Sequence, residues 1–225
     1  MFWNPLCVEG WSLISESQTL PAISLANLPT SSLREAFERV LATYGAARDE
    51  PFAGHPLASV LRRDIPAVLR GWADRSVYRV RGSAGPSTWA ACPWIAVFDK
   101  AVTVSARRGF YVVYLVSVDQ SGVYLALVHG VLDAMKDLRG DAKPALERMT
   151  RASRDLLRPI ELLRPPKMNL APPSPDHLAA FYEQSAVTAT FYPATQVPDD
   201  AQLKRDLDTY LGYYRFLRER RGLGA

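Results

Sequence analysis

The side chains of this sequence that most often bind metals or act as nucleophiles are three histidines and two cysteines. His55, His129 and His177 lie far apart and share no metal-ligand spacing with Cys7 or Cys92. Zinc sites hold their ligands in closely spaced pairs, so neither a zinc site nor an HNH-type nuclease is indicated. Two cysteines cannot form a disulfide framework, and the N-terminus has no basic leader with a long apolar core. We therefore expect a cytoplasmic location and no membrane segment.

Only one other motif suggests catalysis. The run Asp141-Ala142-Lys143 matches the D-x-K half of a nuclease motif, but it follows Gly140 in a loop and lacks a convincing acidic strand upstream. The chain has no G-x-x-x-x-G-K-[ST] sequence and no Gly-Lys pair, so it has no phosphate-binding loop for a nucleotide-driven motor. We predict a binding domain with no catalytic residue, metal or cofactor.

Several residues between positions 77 and 118 could instead contact a charged ligand. The apolar side chains of the same segment, Trp94, Tyr111 and Leu115 among them, are by default expected in the core. The small-residue loop 82–87 could be an ordinary turn, or could bring backbone N–H groups close to a phosphate. The cations that could contact phosphates around it are Arg79, Arg81, Lys100, Arg107 and Arg108.

These residues must be positioned by strands and helices, which the hydrophobic pattern predicts. Alternation predicts strands over 76–80, 94–99, 110–118, 123–130 and 186–192. Helical spacing and capping residues predict a first helix from Ser31 or Ser32 to Ala47 and a last helix from Asp199 or Asp200 to about residue 221. Between them, helices are predicted over 55–72, within 132–163 and over 175–184. Pro66 predicts a kink or break in the helix over 55–72. The proline-rich stretch 159–175 is predicted to be a loop or connector.

Together these elements predict an α+β fold. Its twisted central sheet comes mostly from residues 76–130 plus a strand near 190, and helices from both ends of the chain cover it. Residues 1–30 contain three prolines and no clear periodicity, so we interpret them as an N-terminal extension or arm; residues 31–221 would form a single domain. The net charge of +4 is compatible with a polyanionic partner.

The segment Val77–Leu115 resembles the McrB-like N-terminal DNA-binding domains of modification-dependent (type IV) restriction systems. The similarity consists of Ser83, Gly85 and Trp89 as S-x-G-x-x-x-aromatic, then Pro93-Trp94-Ile95-Ala96-Val97-Phe98, then Gly109-Phe110-Tyr111. A second stretch, from Ser185 to Leu217, is similar to the C-terminal portion of such domains. The resemblance spans about residues 31–220.

This resemblance implies a defence protein that binds double-stranded DNA, turns a modified cytosine out of the duplex and holds it in a pocket. By motif position the pocket residues would be Trp94, Tyr111 and Leu115, with Pro86 in the adjoining loop. DNA would contact Arg79, Arg81, Ser83, Gly85, Ser87, Lys100, Arg107 and Arg108. A separate motor or nuclease subunit would act on the bound DNA.

One departure from the family pattern leaves the modification open. The best-known member has Gly-Tyr-Gly in the loop, where the tyrosine lines the pocket, whereas this chain has Gly85-Pro86-Ser87. Recognition of 5-methylcytosine is therefore not assumed. The alternatives are a module of the same fold that binds phosphorothioate DNA, a nucleotide or a protein, and a nuclease.

Overall fold

An antiparallel sheet of five strands forms the centre of the fold. The computed structural model describes residues 32–138, 141–160 and 168–223. The strands lie in the order of the sequence: β1 (Tyr78–Ser83), β2 (Trp94–Asp99), β3 (Phe110–Val116), β4 (Gly122–His129) and β5 (Ala186–Pro193). Helices precede and follow the sheet, which confirms the predicted α+β class and a sheet built from residues 76–130 plus a strand near 190.

The helices come from three parts of the chain. They are α1 (Leu33–Ala47), α2 (Pro56–Ser59), a π-helical segment (Val60–Asp64), α3 (Ile65–Trp72), α4 (Leu132–Leu138), α5 (Ala142–Leu157), α6 (Leu178–Ser185) and α7 (Asp200–Arg220). The described part of the region 132–163, which is predicted to be helical, contains two helices, α4 and α5. The predicted arm, residues 1–30, and part of the proline-rich connector, residues 161–167, lie outside the described residues. No described helix has the length and apolar character needed to cross a membrane.

The first and last helices are joined at their N-termini. Ser32 caps α1 as predicted, since its hydroxyl accepts from the Glu35 amide at 3.3 Å. Asp199 caps α7, and the neighbouring Asp200 reaches α1 instead. Its carboxylate accepts from the Ser32 hydroxyl at 2.9 Å and from the Leu33 amide at 3.1 Å. A carboxylate at this position satisfies amides that have no partner within the helix and is favoured by the helix dipole.

The helical stretch 56–72 does not end at Pro66, because it forms a wider, π-helical turn just before the proline. Proline has no N–H to donate to the carbonyl one turn earlier. The chain forms a π-helical turn just before it, in which the Ile65 amide donates to the Val60 carbonyl. This stretch packs closely on β1 at Gly82, where an added Cβ would lie 1.8 Å from the Leu61 carbonyl oxygen. Only glycine permits this approach.

The two faces of the sheet are covered by different helices. On one face, Phe37 of α1 packs on Tyr114 with ring centroids 5.1 Å apart, and Tyr214 of α7 packs on Phe110 at 5.4 Å. α6 lies over the other face, where its residue Tyr182 shares a cleft with Trp94. The described helices leave part of this second face uncovered, since Arg79 and Arg81 of the edge strand β1 are exposed on it.

Candidate nucleic-acid interface

A cleft of about 680 Å³ opens on the incompletely covered face of the sheet. One wall is the end of β1 with the loop that follows it, the floor includes the first residue of β2, and the far wall comes from the start of α4 and from α6. The residues that line it are Arg62, Arg81, Gly82, Ser83, Gly85, Pro86, Ala90, Cys92, Trp94, Arg107, Leu132, Leu178 and Tyr182. We call this the sheet cleft.

Trp94 presents part of its indole ring to the sheet cleft. It is the first residue of β2 and pairs with Ser83 on one side and Leu115 on the other, so these three side chains share a face of the sheet. Trp94 is only partly buried, whereas the next five residues of β2 are fully buried. A partly exposed tryptophan in a cleft offers an aromatic surface on which a base can stack.

Tyr111 and Leu115 lie behind the sheet cleft and do not line it. They share the face of Trp94, as expected from their spacing, but they are 1% and 0% exposed. They belong to β3, the central strand, which has a strand on either side and helices over both faces. The Tyr111 hydroxyl donates to the Ala106 carbonyl at 3.0 Å, and burial raises the pKa of this hydroxyl well above its ordinary value. Tyr111 thus fixes the loop that carries Arg107.

Gly85 gives the loop between β1 and β2 its shape. Its φ of +120° is in a region that favours glycine, and an added Cβ would lie 1.9 Å from the Thr88 carbonyl oxygen. The Gly85 amide donates to the Ser83 hydroxyl at 3.2 Å, and the Ala90 amide donates to the Ala84 carbonyl at 2.7 Å. These bonds fold the loop tightly and bring Pro86 to the edge of the cleft.

Residues from the N-terminal helices hold this loop in place. The Tyr44 hydroxyl donates to the Ala90 carbonyl at 2.7 Å, and the Arg62 guanidinium donates to the carbonyls of Gly85 and Pro86. Arg62 also lies over the Phe52 ring, 4.7 Å from its centroid. The sequence analysis did not identify Tyr44 or Arg62 as site residues, because nothing local in an amphipathic helix indicates which loop it will contact.

Trp89, the aromatic residue of the S-x-G-x-x-x-aromatic pattern, anchors the loop from outside the cleft. Its indole N–H donates to the Glu50 carbonyl at 3.0 Å. Its ring meets those of Phe52, His55 and Tyr44 edge to face, with centroids 4.9 to 5.4 Å apart. The two tryptophans of the motif region therefore differ: Trp89 is structural, and Trp94 faces the cleft.

Among the described residues, cations and no carboxylate line the sheet cleft. Arg62, Arg81 and Arg107 lie on it. Arg107 also pairs with Asp133 at 3.0 Å, whereas Arg81 forms no ion pair within the described residues. Arginines without competing carboxylates attract an anionic ligand such as a phosphate.

The structure brings together only part of the predicted DNA-contacting set. Arg81, Ser83, Gly85 and Arg107 line the cleft, while Arg79, Ser87 and Arg108 are exposed outside it. Lys100 lies at the far end of β2, where its ammonium donates to the carbonyls of Arg75 and Ser76 at 2.7 and 3.1 Å. The sequence analysis missed Leu132, Leu178 and Tyr182 on the far wall, since their position depends on how α4 and α6 pack.

Several of the residues considered for other chemistry have structural partners, while Cys7 lies outside the described residues. His55 and His177 cap α2 and α6, accepting from backbone amides at 3.1 and 3.2 Å. The Cys92 thiol donates to the Val116 carbonyl, and burial raises its pKa, which disfavours the reactive thiolate. Lys143 pairs with Asp176 at 3.3 Å. Within the described residues, no cluster of histidine, cysteine and carboxylate side chains could hold a metal ion.

Comparison with known families shows to which family the chain belongs. The model of the family described as "MrcB-like, N-terminal domain" matches residues 39–219, which is most of the chain. The chain belongs to this family. The McrB-like resemblance of the sequence is thereby confirmed, and it extends over all five strands and most of the helices. Comparison with curated proteins and with solved structures gave no match.

Membership in the McrB-like family indicates a DNA-binding role in restriction. Such a role is compatible with a binding domain rather than an enzyme. In this McrB-like domain the sheet cleft brings an aromatic surface together with arginines, of which Arg81 forms no ion pair within the described residues, so it is the candidate DNA-binding site.

Proposed function

We propose that this McrB-like domain recognises modified DNA by accepting a base turned out of the duplex into the sheet cleft. The observation that carries the proposal is Trp94, a partly exposed tryptophan at the floor of a cleft that is lined by arginines and by no carboxylate. Unpairing a base costs a few kcal/mol, which stacking and contacts to the base must offset. A modified cytosine is the base that the family resemblance implies.

The residues of the cleft divide into two roles under this proposal. Trp94, with Pro86 at the rim, would contact the flipped base. Arg81 and Arg107, together with the exposed Arg79, would contact phosphates on either side of it and set the register of the duplex. Tyr111 and Leu115 would support the cleft from behind. Under this proposal a motor or nuclease subunit would act with the domain to translocate or cleave the bound DNA.

A binding measurement on matched duplexes tests this proposal. Fluorescence anisotropy would compare oligonucleotides that differ only in one modified cytosine, with 2-aminopurine beside that base to report unstacking. We expect tighter binding to the modified duplex. We also expect Trp94→Ala to weaken it by about tenfold or more, since base–aromatic stacking contributes about 1–3 kcal/mol. Trp94→Phe should retain much of the affinity, because it keeps an aromatic face.

Trp72→Phe is a matched control, because Trp72 ends α3 away from the sheet cleft. Equal affinity for modified and plain duplexes, with no loss in Trp94→Ala, would exclude the proposal. A different ligand of the same cleft, such as a nucleotide or a protein, would give binding without the steep salt dependence of phosphate contacts.

A further inference from the structure

The sheet cleft is larger than a methylated base requires. A 5-methylcytosine base has nine non-hydrogen atoms. Even at about 30 Å³ each, the share of volume that one water molecule occupies in the liquid, they would fill well under half of the roughly 680 Å³ available. Clefts of this size bind ligands of drug-like dimensions. A base with a small substituent would leave one wall of the cleft without contacts.

The lining of the cleft also differs from an apolar niche for a methyl group. Tyr111 and Leu115, which could have formed such a niche, are buried behind it, and Pro86 adds no aromatic face at its rim. Apolar side chains supply much of its lining, but several of the groups between them are hydrogen-bond donors. Arg81 and Arg107 carry N–H groups, and the Ser83 hydroxyl, which accepts from the Gly85 amide, keeps its own proton to donate.

From this volume and this donor lining, we infer that the cleft accepts a pyrimidine whose 5-substituent is larger and richer in oxygen than a methyl group, namely a hydroxymethyl group that carries a hexose. This inference rests on the proposed function. The hexose hydroxyls would accept from Arg81 and Ser83. Its apolar edges would lie against Leu178, the first residue of α6, which is half-buried on the far wall.

Three duplexes that differ at one base test the inference: 5-methylcytosine, 5-hydroxymethylcytosine and glucosyl-5-hydroxymethylcytosine. We expect affinity to rise in that order. The glucosylated duplex should bind at least about tenfold more tightly than the methylated one, since hydrogen bonds to charged donors are among the stronger ones in proteins. Arg81→Met should remove most of this advantage. It should also weaken the binding of all three duplexes by a common factor that is smaller than the lost advantage.

Leu178→Trp is the sharper variant, because it narrows the cleft without removing a charge. It should abolish the preference for the glucosylated base, so that the glucosylated and methylated duplexes bind with affinities within about twofold of each other, the precision of such measurements. Leu178→Met, of similar volume to the natural residue, is the matched control and should keep the preference.

The outcomes separate this inference from the proposed function. Tightest binding to the methylated duplex would overturn the inference and leave modified-base recognition intact. A preference for the glucosylated duplex that survives both Leu178→Trp and Arg81→Met would place the sugar elsewhere, and would also overturn it. Equal affinity for all three duplexes and for unmodified DNA would instead overturn the proposed function.

Discussion

At the scale of single residues, position in the motif does not decide what an aromatic side chain does. Trp89 and Trp94 both belong to the family pattern, yet Trp89 closes an aromatic cluster against the helices and Trp94 faces the sheet cleft. The loop between β1 and β2, which carries Trp89, depends on the backbone conformation of Gly85. A single methyl group added at Gly85 should therefore disturb the cleft.

We predict that Gly85→Ala lowers the free energy of unfolding by about 1–3 kcal/mol, because the residue has a φ of +120° and its Cβ would meet the Thr88 carbonyl. It should also weaken DNA binding, since Pro86 and Ser83 would move. Urea unfolding and duplex binding measure the two effects. Gly212→Ala is the control: this glycine lies within α7 with open space around it, so the change should stabilise by about 0.5–1 kcal/mol. Unchanged stability in Gly85→Ala would contradict the prediction.

A second single-residue effect concerns pH. His129 is buried, and its Nε2 lies 2.8 Å from the Ser153 hydroxyl, to which Arg221 also donates at 2.7 Å. Burial, and then the positive charge of Arg221, lower the pKa of His129 from 6.5 to about 4. The unfolded chain therefore binds a proton that the folded chain does not between these two pH values, and stability falls as pH decreases from about 6.5 toward 4.

The loss from His129 between pH 7.5 and 5 should be about 2 kcal/mol. His129→Gln removes the titrating group. Between pH 7.5 and 5 the unfolding free energy of this variant should therefore fall by about 2 kcal/mol less than that of the unsubstituted protein. Urea titrations of both proteins at the two pH values measure the difference, in which the contributions of the other ionisable groups largely cancel. Identical pH dependence in the two proteins would exclude this role for His129.

At the scale of secondary-structure elements, α7 is attached to the sheet by a buried charge. Asp99, at the end of β2, is 1% exposed, and its carboxylate accepts from Arg218 at 2.9 Å and from the Ala101 amide at 2.9 Å. The Tyr214 hydroxyl accepts from the Asp99 amide at 3.0 Å. The end of β2 is thus held by two residues of the last helix.

Removing one partner of this pair should be costly. We predict that Asp99→Ala lowers the free energy of unfolding by about 3–5 kcal/mol, because it leaves the partly buried Arg218 charge without its buried partner, and the exposed Glu219 at 3.9 Å replaces it poorly. The double variant Asp99→Ala/Arg218→Met should recover part of the loss. Asp208→Ala breaks the exposed pair with Lys204 and should cost less than about 1 kcal/mol. Equal losses in Asp99→Ala and Asp208→Ala would contradict this assignment.

At the scale of the whole molecule, cations are placed at one edge of the sheet. Arg79 and Arg81 extend from β1 on the face that holds the cleft, and Arg107 faces them from the loop before β3. Lys100 carries the same charge, but its ammonium is bonded to two carbonyls at the other end of β2. DNA that follows the edge of the cleft would contact the three arginines and would not contact Lys100.

Salt dependence should show this arrangement. The logarithm of the binding constant should fall linearly with the logarithm of salt concentration, and the slope should decrease by about 1 for each phosphate contact removed. We predict this decrease for Arg79→Gln and for Arg81→Gln, and no change for Lys100→Gln. The same decrease in all three variants would show that the charge acts without regard to its position.

The sequence by itself determined the elements and the directions of their side chains. Strand β2 spans Trp94–Asp99 as predicted, and Leu115 shares the face of Trp94, because alternation along a strand fixes the direction of each side chain. The cap at Ser32 and the helical spacing of α7 are equally local. The family motif is local as well, since it lies within strands β1 to β3 and the loops that connect them.

Only the tertiary structure decided which of these side chains a ligand can reach. Tyr111 and Leu115 point the same way as Trp94, but they are buried because their strand is central and α6, far along the chain, contributes to the cover of that face. Arg62 reaches the loop from 23 residues away because a π-helical turn and Gly82 let its helix approach β1. Side-chain direction is a local property of the chain, whereas exposure depends on contacts between distant segments.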